Sequence, residues 1–134
     1  MPSKFPFPDN FTPKNQILNL HEHLVTNPPA TFFMRMGTDE LATLGLFRDD
    51  ILVVDRSLEP RDGDVVVGVL DGEFVVREYL TLDLSGDAKI IVLTGGPHSP
   101  VEAEVLGPDK PGNQGDRQFE VWGVVAHSVH SYRR

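Results

Sequence analysis

Few residues in this chain have side chains suited to catalysis, and their spacing narrows the options. Asp39 and Glu40 are adjacent carboxylates, a pairing that could supply an acid and a base for hydrolysis. Adjacent carboxylates are also common on ordinary surfaces. Ser57, Ser85 and Ser99 are hydroxyls scattered at unrelated positions along the chain. His21 and His23 lie two apart, so on a regular helix they point to different sides and cannot chelate one metal. The five histidines show no ligand spacing, and no glycine-rich phosphate loop precedes a helix. The chain has no cysteine, which excludes a disulfide framework, a thiolate nucleophile and a cysteine-ligated metal. Neither a cofactor nor a metal is expected.

The elements that would position these residues are mostly strands. The organising stretch is Gly45 to Leu80, with apolar segments at Ile51–Val54, Val65–Leu70 and Phe74–Val76. Ile51–Val54 is continuously apolar and predicts a strand buried on both faces. Asp71-Gly72 joins the next two segments, a dipeptide suited to the positive φ angles of a two-residue hairpin turn. Residues 61–64, Arg-Asp-Gly-Asp, mark another turn. Upstream, Thr31–Met36 reads as a strand with Phe33 on its buried face, broken by a turn at 37–41. Downstream, Lys89–Leu93 predicts a strand and 94–100 a loop. Val101, Ala103 and Val105 alternate with Glu102 and Glu104, the period of a strand with one wet face. Gly107–Gln118 reads as a polar loop, and Phe119–Val129 as a long closing strand holding the sole tryptophan, Trp122. About seven strands and one helix are expected. The helix begins at Thr12-Pro13, a cap followed by proline at the first helical position. Ile17, Leu20 and Leu24 form its apolar stripe over about three turns. Residues 1–13 hold four prolines and three phenylalanines, Phe5, Phe7 and Phe11, and predict an extended arm that packs on a surface.

Length and charge set outer bounds. With 134 residues the chain suits one compact domain, here 14–134 behind the arm. No apolar run approaches the ~18 residues that cross a bilayer, and the N-terminus lacks a signal peptide's apolar core, so a cytoplasmic protein is expected. Twenty acidic against twelve basic residues give a formal charge of −8, a surface that a phosphate backbone repels. Direct nucleic-acid binding is not expected.

Several segments, in order, resemble the C-terminal domain shared by LexA repressors and UmuD mutagenesis proteins. Residues 29–33, Pro-Ala-Thr-Phe-Phe, resemble the strand leading to that family's nucleophile. Gly45–Asp55 is similar to its segment of Asp-Gly-Asp, apolar residues and Asp. Residues 61–67 and 71–76 resemble the two hairpin strands, and 119–127 the last strand. The match runs from about Phe5 to the end and lies closest to UmuD, since no DNA-binding helix-turn-helix precedes the domain. The resemblance implies a mainly β fold: curled antiparallel sheets of the LexA/signal-peptidase-like, β-clip type with one short N-terminal helix.

The family cuts itself with a serine–lysine dyad, and here the resemblance breaks. Counting back from Ile51–Asp55, the family's Ser-Met falls on Glu40-Leu41, and its lysine falls on Arg77. Arginine stays protonated and cannot act as the base, and a carboxylate lacks the hydroxyl that forms an acyl-enzyme. The site reads as dead, with Glu40 and Arg77 expected to form an ion pair in the former cleft. The resemblance also implies that the chain begins near the family's self-cleavage point, since residues 4–8 are similar to the start of the processed product, UmuD′.

By resemblance, the chain is then a UmuD′-like homodimer serving as accessory subunit of a Y-family translesion DNA polymerase in the SOS response, contacting polymerase and recombinase filament. The family's dimer uses the last strand, where Val121, Trp122, Val124, Val125 and Val129 offer apolar surface. Core packing of Trp122 is the alternative. Two other functions stay open. One is a regulatory decoy that pairs with an intact family member or competes for the filament. The other is a peptidase with a rearranged site built on Asp39 and Glu40.

Overall fold

The computed structural model of the protein describes residues 19–83, 89–96, 103–106, 113–114 and 117–133. They form a mostly antiparallel β structure. The strands are β1 (Thr31–Arg35), β2 (Ile51–Asp55), β3 (Asp64–Leu70), β4 (Glu73–Asp83), β5 (Lys89–Thr94), β6 (Glu104–Leu106), β7 (Asn113–Gln114) and β8 (Arg117–Val129). The sheet order is β1-β2-β8-β3-β4-β5-β6, with β7 pairing β8 off that path. The last strand therefore lies between β2 and β3 and joins the two ends of the chain's central block.

The hairpin forms where the sequence places it. Asp71 and Gly72 have φ angles of 51° and 86°, the left-handed values this turn needs, and Leu70 pairs with Glu73 beside them. The 61–64 turn closes through Asp64 N–H to the Arg61 carbonyl at 3.0 Å and Arg61 N–H to the Asp64 carboxylate at 2.7 Å. Strand β2 is buried from Leu52 to Asp55, as its unbroken apolar run predicts. It has β1 on one side and β8 on the other.

Strand β3 separates two apolar clusters because alternate residues point to opposite faces. Val67 joins Met36, Leu41, Leu46, Leu52 and Val54, while Val66 joins Leu70, Leu93, Phe119 and Val124. Gly68 sits where the pairing with β8 shifts register. A Cβ there would run into the Phe119 ring, with the Glu120 carbonyl at 3.0 Å. Gly68→Ala should therefore overpack the second cluster and cost about 1–3 kcal/mol, read as a lowered urea midpoint.

Several expectations need correction. Phe33 is 56% exposed, not buried. Among the described residues β1 has a single strand neighbour, and it is Met34 and the following Met36 that turn into the core, which puts Phe33 and Arg35 on the outer side. The loop expected over Gly107–Gln118 contains a short strand, with Asn113 paired to Gln118 and Gln114 to Arg117. Strands thus number eight among the described residues rather than seven. The strand expected from Val101 is described only as Glu104–Leu106, and Val101 and Glu102 lie outside the described residues. Of the predicted helix, α1 covers Leu20–Leu24, capped by the Asn19 side chain accepting from Glu22 N–H at 3.1 Å. Its stripe residue Leu20 is 53% exposed. Thr12, Pro13 and Ile17 lie outside the described residues.

Candidate functional site

A cleft of about 270 Å³ opens between the turn that follows β1 and the second arm of the hairpin. Met34, Met36, Leu41, Leu52, Val67 and Phe74 give it an apolar lining, and Glu40 and Arg77 both border it. The two positions singled out by the sequence resemblance thus share one cavity, although 37 residues separate them.

The turn holds Glu40 through backbone bonds and one buried side chain. Met36 N–H donates to the Asp50 carbonyl and Asp49 N–H to the Met36 carbonyl, each at 2.8 Å, pinning the two ends of the segment together. Inside it, Glu40 N–H donates to Thr38 Oγ1 at 3.1 Å. A 3₁₀ turn at Ala42–Leu44 follows and ends at Gly45, whose φ of 80° suits glycine. Leu41 plugs the first apolar cluster at 1% exposure, and Thr43 Oγ1 donates to the Gly95 carbonyl at 2.9 Å. Across the cleft, Arg77 is half-buried on β4 opposite Val66, with Nη1 donating to the Val76 carbonyl at 2.8 Å.

Asp39 does not join Glu40. Its carboxylate turns outward, accepting Arg48 N–H at 2.8 Å and lying 3.8 Å from Arg48 Nε on an exposed rim. An acid–base pair built on adjacent carboxylates therefore lacks a shared cavity. Ser57 is engaged elsewhere, its N–H and Oγ both donating to Asp55 Oδ1 at 2.8 and 2.5 Å. Ser85 and Ser99 lie outside the described residues. Among the described lining residues Thr38 supplies the hydroxyl, and none of them is a lysine or histidine that could take its proton. His23 packs its ring 5.6 Å from that of His127. Among the described residues, no three His, Asp or Glu side chains are grouped to hold a metal ion.

The surface expected on the last strand divides. Val124 is a correction: at 4% exposure it belongs to the second apolar cluster, because β8 is an interior strand and this side chain points into the core. Val121, Trp122, Val125 and Val129 are half-buried, and Trp122 packs against the first cluster. Phe5, Phe7 and Phe11 lie outside the described residues. One constellation has no counterpart among the sequence expectations. Asp50, 1% exposed, accepts Phe47 N–H at 2.9 Å through one oxygen and meets His130 Nδ1 through the other. The available signal was an aspartate immediately before a fully apolar strand.

The family described as "Peptidase S24-like" matches residues 6–92. The protein ImpA of Salmonella typhimurium is 40% identical over 118 residues, which cover 88% of this chain and 71% of ImpA. The protein MucA of Escherichia coli is 33% identical over 116 residues, covering 87% of this chain and 70% of MucA. The protein SamA of Salmonella typhimurium is 31% identical over 133 residues, covering 98% of this chain and 81% of SamA. No helix among the described residues is long and apolar enough to cross a membrane.

Proposed function

The chain belongs to the peptidase S24-like family, that of LexA and UmuD, and from that premise we propose that it is a catalytically inert UmuD′-type accessory subunit of a Y-family translesion polymerase in SOS mutagenesis. The observation that carries the reading is the pair of residues bordering the cleft. Glu40 and Arg77 occupy the positions that the resemblance gives to nucleophile and base, and the fold brings both to one cavity. Neither can perform the original role. The carboxylate has no hydroxyl to acylate, and the guanidinium does not give up its proton near neutral pH. What remains is a folded β domain with a largely apolar cleft of about 270 Å³, which in this reading serves binding rather than bond cleavage. The formal charge of −8 suits a cytoplasmic subunit that contacts protein partners and not DNA.

Glu40 and Arg77 carry opposite charges and form an ion pair that closes the former site in this reading. Arginine–carboxylate pairs are directional and often bidentate, while the cost of desolvating both ions leaves little net stability. Glu40→Gln should accordingly change the unfolding free energy by less than about 1 kcal/mol. A crystal structure in which the two side chains make neither a direct nor a water-bridged contact would remove this part of the reading.

Co-expression with a Y-family translesion polymerase from the same source tests the function itself. The subunit should co-purify with the polymerase as a homodimer. Repeated failure of folded, dimeric protein to bind would contradict the proposal. Recovery of an intact LexA- or UmuD-type partner in its place would favour the decoy.

A further inference from the structure

Residues 37–48 leave the end of β1 and return to the start of β2 as a loop whose two ends meet. Met36 on one side and Asp49 and Asp50 on the other form its neck. Besides the two bonds that Met36 makes there, Arg35 Nη1 donates to the Asp49 carbonyl at 3.1 Å, and Asp50 N–H donates to the Phe47 carbonyl at 3.0 Å. The loop supplies one wall of the cleft, through Gly37, Thr38, Glu40 and Leu41.

A residue from much later in the sequence closes over this neck. Strands β2 and β8 pair Val53 with His127, Leu52 with Ser128 and Ile51 with Val129. One step beyond that ladder His130 stands opposite Asp50, and facing residues of an antiparallel pair lie on the same side. The Asp50 carboxylate, 1% exposed, takes Phe47 N–H from inside the loop on one oxygen and His130 Nδ1 on the other. The His130 ring also lies 5.1 Å, between centroids, from Phe47 and 5.1 Å from Tyr132. A carboxylate buried this deeply is costly without hydrogen-bond donors. The loop's backbone and the residue after β8 thus serve the same group.

We infer that His130 is a latch that holds the 37–48 loop, and with it the Glu40 wall of the cleft, in place. Removing the imidazole takes a donor from a buried carboxylate. The strain falls on the neck, because Phe47 N–H, the Asp50 carbonyl and Asp49 N–H all tie the loop's ends together. Strand β3, paired with β4 on one side and β8 on the other, keeps its own ladders. Release of the latch therefore opens the loop locally and leaves the sheet folded. The segment after β8 and the cleft are coupled through it. Tyr132, 96% exposed, stands against the latch ring, so a movement of residues 130–133 reaches the cleft wall. The inference rests on the geometry of the neck and stands whether or not Glu40 and Arg77 are chemically inert.

Amide hydrogen exchange in the full chain, followed residue by residue by NMR, tests the latch. In His130→Ala the amides of Met36, Leu44, Leu46 and Asp50 should exchange about tenfold to a hundredfold faster than in wild type, the scale of one hydrogen bond to a charged group. Val66 and Val67 of β3 should keep their rates. His130→Asn, whose side-chain amide donates from about the position of Nδ1, should restore protection to the loop, which ring packing alone would not do. Equal loop rates in wild type and His130→Ala would overturn the inference. So would a loss of protection shared equally by the loop and β3, or failure of His130→Ala to fold, since either makes the contact part of the global fold. Unrescued exchange in His130→Asn would overturn it as well, by removing the donated hydrogen bond as the hold.

Discussion

Leu41→Ala should lower the unfolding free energy by about 2–5 kcal/mol, the range for truncating a fully enclosed leucine. Leu41 is the residue through which the turn carrying Glu40 is fastened to the body. Its side chain, 1% exposed, packs among Met36, Leu46, Leu52, Val54 and Val67. Its carbonyl accepts Leu44 N–H at 2.9 Å and Leu46 N–H at 3.3 Å. Truncation opens a void beside the cleft, and neighbouring strands β2 and β3 cannot close it without breaking pairings to β8. Glu40→Ala, one residue earlier and exposed, should stay within about 0.5 kcal/mol. Urea unfolding of both variants reads the contrast. A loss below about 1 kcal/mol for Leu41→Ala would mean that the turn is not anchored in the core.

The second large effect is a gain of function. Glu40→Ser combined with Arg77→Lys should make the chain cleave an intact family member in the presence of a recombinase filament, whereas each single change should not. The cleft already supplies the setting that such a dyad requires. Its apolar lining disfavours a charged amine and so lowers the pKa of a lysine placed at 77, and a serine at 40 would lie on the turn facing it. A general base contributes ~10²–10⁴ in rate, so the double variant should exceed Glu40→Ser alone by that order. Absence of product from a folded double variant would show that the cleft has lost its catalytic geometry as well as its two side chains.

Much of this architecture is written in local sequence. The hairpin follows from Asp71-Gly72, the buried strand from an unbroken Ile-Leu-Val-Val, and the closing strand from its length and apolar content. These signals lie within a few residues of the element they specify. Phe33 was misplaced because a lone strand leaves its facing open: either parity of Thr31–Met36 carries apolar residues, and the neighbour β2 together with the packing of Met34 and Met36 decides. Val124 reads as available surface along β8 for a related reason, since only the insertion of that strand between β2 and β3 makes it interior. The Asn113–Gln114 pairing hides in a segment whose composition signals turns. The cleft was legible by resemblance and not by spacing, because nothing local connects Glu40 with Arg77. Likewise, no sequence pattern joins Asp50 to His130, 80 residues apart.

The central question is whether the unaltered chain can break a peptide bond. The direct measurement is to incubate the purified wild-type protein, at stoichiometric concentration, with a LexA- or UmuD-type substrate and an activated recombinase filament, and to follow substrate and chain by mass spectrometry. Both should keep their full mass over a period in which an intact family member processes itself to completion. Cleavage that depends on Glu40, lost in Glu40→Gln and retained in Ser57→Ala, would contradict it.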